Sequence, residues 1–180
     1  MFVSRLKRAL LLDAGLYTEV ASDKSATGQA VYAVLLAGVA SGLGMIATRG
    51  GGIIALETAA TLLSWIVCAF ATYLAGVKLL PEARTEPGLG KLIRAIGFAF
   101  SPGLIRIFSF IPYLGSAIIV ASWIWTFAAI VVAVKQALDY SSTWRAVGVA
   151  VIGLALVMLI IYALKIYVII LLFAYGFRDA

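Results

Sequence analysis

The sequence predicts an all-α fold, a polytopic transmembrane helix bundle of about five helices. Three observations carry that expectation. Of 180 residues, 64% are hydrophobic and only 12% charged, whereas a soluble domain is roughly half apolar and a quarter charged. The apolar residues fall in long runs, each near the ~20 residues that a helix rising ~1.5 Å per residue needs to cross ~30 Å of hydrocarbon. Short stretches bearing charge, glycine or proline separate the runs. Residues 1–27 read as a cytoplasmic N-terminal segment and residues 28–180 as the transmembrane domain.

Residues 2–12 place Phe2, Val3, Leu6, Ala9 and Leu10 on one helical face, with Ser4, Arg5, Lys7 and Arg8 on the other. This predicts a basic amphipathic helix in the interface, drawn to anionic headgroups. The polar stretch Asp13 to Thr27 ends in Asp23, Ser25 and Thr27, residue types that cap an incoming helix. The first span follows from about Gly28 to Thr48. Its Ala37, Gly38, Ser41 and Gly42 form a small-residue stripe that lets a neighbouring helix come close, with packing inside the chain preferred over dimerisation. Arg49-Gly50-Gly51-Gly52 has no GK[ST] and is a hairpin turn, not a phosphate loop.

The second span, about Ile53 to Leu80, carries Glu57, Thr61, Ser64, Cys68 and Thr72 at spacings of three or four residues, on one helical face. A carboxylate inside a membrane is costly unless paired, protonated or wetted, which makes Glu57 a functional candidate. It lies close enough to the turn to reach headgroup water or Arg49, the preferred reading. The loop from Pro81 to Lys91 is the longest polar connection. The third run, Leu92 to Ile111, contains Arg94 and Arg106 and is broken at Ser101-Pro102-Gly103. Pro102 has no N–H and crowds the carbonyl four residues earlier, so a kinked or discontinuous helix is expected. Pro112 closes this passage, and a fourth span runs from Gly115 to about Val134. In the loop from Lys135 to Arg145, Asp139 is expected to pair with Arg145 or with a basic residue of the 81–91 loop and so tie the ends of the second, fourth and fifth spans together. The last run, Ala146 to Phe177, exceeds one perpendicular crossing. Lys165 lies about 29 Å beyond Ala146 along a helix and is expected to snorkel at the far interface.

The net charge of +6 is scattered at segment ends rather than gathered on one face, which argues against nucleic acid. With the N-terminus inside and five crossings, Arg5, Lys7, Arg8, Lys24, Lys78, Arg84, Lys91, Arg94, Lys135 and Arg145 fall on the inner side, and Arg49, Arg106 and Arg178 outside. A re-entrant third run would exchange Arg106 and Arg178 for Lys135 and Arg145 and leave the same balance. Charge therefore orients the N-terminus, and segment length favours five crossings over four. With no histidine and a single cysteine, Cys68, an internal disulfide, a cysteine metal site and imidazole chemistry are excluded. Glu57 is the one acid inside a span, so no nucleophile with its base and no carboxylate pair is expected. No catalytic residue, cofactor, metal site or cleaved signal peptide is expected.

Three passages, DKSATGQA before the first span, GFAFSP…IPYLG, and KQALDYSSTWRAVGV, resemble the Yip family of Ypt/Rab-interacting membrane proteins in its short prokaryotic form. The likeness extends roughly from Leu10 to Ile152. It implies five helices with a cytoplasmic N-terminus, placed in the bacterial inner membrane. It marks Asp139, Tyr140, Thr143, Trp144 and Arg145 as the family-like loop, and Pro102 and Pro112 as the flanks of the broken passage. Eukaryotic members are associated with vesicle traffic and small-GTPase cycling; their DLYGP-type motif is not in this sequence.

Two functions are expected to compete. One is a non-enzymatic membrane-organising or adaptor protein, its partners membrane lipids and another membrane protein or a second copy of the chain. The other is a small ion or solute transporter using Glu57, Arg94, Arg106 and the break at Pro102. Five crossings predict that, on a Cys68→Ala background, a cysteine placed at the C-terminus reacts only with reagent applied opposite the N-terminal side. Labelling from the N-terminal side alone refutes five.

Overall fold

In the computed structural model residues 1–82 and 88–176 are described, with side chains of the last helix described through residue 160 and at 162, 163 and 166. Lys165's side chain, Arg84 and Arg178 lie outside that description. The chain forms α1 (Phe2–Leu10), α2 (Ala14–Ser22), α3 (Ala26–Arg49), α4 (Gly52–Leu74) with a π-helical last turn Ala75–Leu79, α5 (Leu89–Ala99) continued by a 3-10 helix Ser101–Phe110, α6 (Gly115–Ala137) and α7 (Thr143–Gly176). Among the described residues, five stretches are long and apolar enough to cross a membrane: α3, α4 with its π turn, α5 with the 3-10 helix, α6, and α7 through Ile160. This is the polytopic helical bundle expected from the sequence.

The N-terminal segment differs from its expected form. Asp13 to Ser22 is not a polar connection but begins with Asp13 as N-cap, its carboxylate accepting from Gly15 N at 2.9 Å, and then buries Leu16, Tyr17, Val20 and Ala21 on one face of α2. The arginines of α1 are paired within the chain. Arg5 is buried and reaches Glu19 at 2.7 Å and Asp23 at 2.8 Å while donating to Gln29 Oε1 at 3.2 Å. Arg8 bridges Asp13 and Glu19, each at 2.6 Å. A buried guanidinium persists only with its donors paired, and α2 supplies the carboxylates. The apolar face of α1 packs on the bundle, with Phe2 against Phe98 at 6.5 Å between ring centroids. Trp125 Nε1 donates to the carbonyl of Leu10 at 3.0 Å and fixes its far end.

Close approach of α3 to its neighbours rests on small residues. A Cβ on Gly42 would lie 2.5 Å from Ile54 Cα, and one on Gly38 2.7 Å from Thr58 Cα, so the stripe is used inside the chain against α4. Trp65 ties α4 to α5 by donating to the Ile93 carbonyl at 2.9 Å.

The third span is discontinuous, as Pro102 requires. An α-helix would have residue 102 donate to Phe98 O; proline cannot, and Ser101 Oγ donates there instead at 2.6 Å. The chain tightens into the 3-10 helix, which rises ~2 Å per residue, so eleven α-helical and ten 3-10 residues together reach roughly 36 Å. Ser101, Pro102 and Gly103 are buried, the condition under which irregular backbone survives at membrane depth.

Burial works against the charge on Arg5, but hydrogen bonds with Asp23 and Glu19 outweigh it and raise its pKa. Hydrogen bonds from Arg8 and then Arg5 hold Glu19 below the usual carboxylate range, and those from Ser25 and then Arg5 do the same for Asp23. Because these pKa values are depressed on folding, their contribution is whole above the ordinary carboxylate value of ~4 and is lost as pH falls through the depressed ones. A spin label at exposed Val3 is therefore expected to keep constant mobility from neutral pH to about pH 5 and to loosen below ~4. Arg5→Met should loosen it at neutral pH and leave the long helices folded.

Candidate functional site

Residues 138–145 form a tied corner at the end of the bundle that carries α1 and α2. Leu138 ends α6, and Asp139 takes a left-handed conformation, φ 54°, one that Asp and Asn tolerate better than other side chains with a Cβ. Tyr140 is thereby turned inward, and its hydroxyl lies 2.8 Å from the carbonyls of both Gly76 and Leu80. Gly76 lies in the π turn of α4 and Leu80 caps it, with the wider Leu80 N to Ala75 O bond replacing the α-helical one. A helix end leaves carbonyls unpaired, and the Tyr140 hydroxyl covers two of them.

The acid that binds this corner is Glu82, not Asp139. Its carboxylate accepts from Ser141 N at 3.0 Å, Ser141 Oγ at 2.7 Å and Ser142 N at 3.4 Å, with Arg145 Nε at 3.7 Å. Hydrogen bonds from Ser141, above all from its hydroxyl, hold Glu82 below the usual carboxylate range. Arg145 also donates to the Pro81 carbonyl at 3.1 Å, and Lys135 to Thr143 Oγ1 at 2.7 Å. The expected joining of the ends of α4, α6 and α7 is present, but Arg145 pairs across to Glu82 while Asp139 is exposed and serves through its backbone. Thr143 and Trp144 point outward, Trp144 at 84% exposure.

The intramembrane candidates divide between the two ends. Arg94 is buried in the middle of α5 and donates to the carbonyls of Val20 and Ala21 at the end of α2, the first at 3.0 Å. It is a cap for α2, far from the other two. Glu57, Ser41, Arg106 and Ser122 instead share one level, roughly 8–12 Å in from the opposite ends of their helices by residue count. Ser41 Oγ donates to Glu57 at 2.9 Å. Arg106 donates to Ser122 Oγ at 2.9 Å, Ser122 donates to the Pro102 carbonyl at 3.2 Å, and the guanidinium lies 4.5 Å from the Trp123 ring centroid. Gly44 admits this arrangement, because a Cβ there would fall on the Arg106 carbonyl oxygen.

Pro112 is exposed in the turn after the 3-10 helix and takes no part in the cluster. The polar face of α4 is not continuous. Thr61 Oγ1 donates back to Glu57 O and Thr72 Oγ1 to Cys68 O, both at 2.7 Å. Among the described residues no group of three His, Cys, Asp or Glu side chains could hold a metal. Sequence reasoning missed Ser41, Glu82, Ser122 and Trp123 as partners. The one available signal was that Glu82 is an acid in the only long loop, while a serine in an apolar run gives no hint of what faces it.

The family model described as the Yip1 domain matches residues 16–164. No curated protein and no solved structure matches the chain. In detergent, Tyr140→Phe, which removes the one proton that the Gly76 and Leu80 carbonyls share, is expected to cost about 1–3 kcal/mol and lower the melting temperature. Asp139→Asn should leave it unchanged, and Asp139→Val should lower it by the ~1–2 kcal/mol penalty of the left-handed region. Equal melting temperatures for all three would remove the corner's structural role.

Proposed function

The chain belongs to the Yip1 domain family, and from that premise we propose that it is a non-enzymatic membrane-organising or adaptor protein that binds lipid or another membrane protein. We place it in the bacterial inner membrane with its N-terminus cytoplasmic. It is an integral membrane protein with several apolar helices, and what supports the adaptor reading is how its intramembrane charges are spent. Arg94 caps α2, Arg106 is held by Ser122 and Trp123, and Glu57 is held by Ser41. A transport path needs charged groups that exchange partners as cargo passes; here each is engaged with a fixed group of the bundle. The partner-facing surface in this reading is the corner 139–145, rigid through Tyr140 and Glu82 and presenting Trp144 and Thr143. Exposed aromatic residues on a rigid base are the usual anchors of an interface.

The test has two arms. Purification from native membrane in mild detergent is expected to retain a lipid or a membrane protein in fixed ratio to the wild type. A protein partner should be lost from Trp144→Ala while the melting temperature holds. Proteoliposomes should show no proton or cation flux above empty vesicles. A reproducible flux, abolished by Glu57→Gln in a folded protein, would overturn the adaptor reading and favour a transporter working through Glu57, Arg106 and the break at Pro102.

A further inference from the structure

A cavity of about 300 Å³ lies among α4, the α5 end, α6 and α7, at the lower limit of small-molecule sites, which span roughly 300–1,000 Å³. Its wall is apolar except for Ser64, Cys68 and Thr126. Thr126 stands eleven residues from each end of α6, about 17 Å either way, and so at mid-depth. It is 3% exposed, and among the described residues its Oγ1 is the buried side-chain oxygen with no hydrogen-bond partner. A threonine inside a helix ordinarily returns its hydroxyl to the carbonyl four residues back. Thr61 and Thr72 do so, whereas Thr126, a lining residue of the cavity, leaves its buried hydroxyl unpaired among the described residues. Trp123 and Met158, at 49% and 54% exposure on the outer surface of the bundle, stand beside the cavity and open it toward the lipid side rather than toward water.

We propose that this cavity binds a neutral lipid dissolved in the bilayer interior, whose polar group is one carbonyl or hydroxyl, and that Thr126 is its hydrogen-bonding partner. Among the described residues no charged side chain lines the cavity, so an ionic headgroup finds no partner among them. The phosphates and esters of a phospholipid stay at the interface, more than a dozen ångströms from mid-depth. A plain hydrocarbon chain fills the space and leaves a desolvated hydroxyl unpaired, which is the costly arrangement. A neutral head of ring or alcohol size satisfies both the walls and Thr126. The inference rests on the lipid-binding arm of the proposed function and names its ligand class and its site.

Trp123 is a built-in reporter, because quinones quench indole fluorescence on contact. In phosphatidylcholine nanodiscs, decylubiquinone is expected to quench the wild type saturably, and Trp123→Phe should lose most of the saturable part. Thr126→Val, isosteric but without the hydroxyl, should weaken binding about five- to tenfold, the worth of one hydrogen bond, while Thr126→Ser stays within about twofold. Reversal by 1-dodecanol assigns the site to hydroxyl lipids as well; quenching that dodecanol does not reverse assigns it to the ring carbonyl. Quenching that rises linearly with quinone, equal reversal by n-dodecane, or a Thr126→Val protein that binds as tightly as wild type overturns the proposal. Should Thr126→Val not fold, the wild-type titration and the dodecane arm still decide. If quenching is linear while lipid still co-purifies in fixed ratio, lipid binding stands and this cavity is not its site.

Discussion

Pro102 has no N–H, and much of the third span and its surroundings follows from that one missing donor. The Phe98 carbonyl loses its helical partner and takes the Ser101 hydroxyl. The backbone tightens to a 3-10 helix, which turns Arg106 toward α6 and leaves the Pro102 carbonyl to Ser122. Arg106, Ser122 and Pro102 thus form one relay in which the charge of the span is anchored on the defect of its own helix. In lipid no water can substitute for such partners, so the break and its repair have to come together.

The same constraint explains the polar contacts elsewhere. Side-chain donors inside the bundle are aimed at backbone carbonyls: Arg94 at the end of α2, Tyr140 at the end of α4, Trp65 at the Ile93 carbonyl. Between apolar helices in an apolar solvent there is little hydrophobic drive to associate. Close backbone contact through small residues such as Gly38 and Gly42, together with these donors, has to hold the bundle. Against that background Thr126 stands out, because its buried hydroxyl has no partner among the described residues.

The two ends of the molecule differ in kind. At the α1–α2 end, carboxylates and arginines knit separate elements together in networks that titrate and that exposed residues such as Trp144 surround. At the other end, Glu57 and Arg106 sit at one level, each in contact with a serine of a neighbouring helix. A fixed pair of this sort stabilises a packing arrangement. It is poorly suited to handing an ion from one group to the next.

The number of long helices, their approximate bounds and the break at Pro102 could be read from the sequence, because hydrocarbon thickness sets run length and proline chemistry is local. The identity of the family-like loop was legible for the same reason: its residues are contiguous. What a side chain meets was not. Arg5 and Arg94 look in the sequence like surface and intramembrane cations, yet one is buried among the acids of α2 and the other caps that helix, because α2 folds back onto α5. Asp139 carries the charge that sequence reasoning would pair with Arg145, but its left-handed backbone sends Tyr140 inward and leaves Glu82, some sixty residues earlier, to bind the corner. Apolar periodicity is a property of one segment and survives in the sequence; pairing of polar groups is a property of two segments at a given separation, and only the tertiary structure decides it.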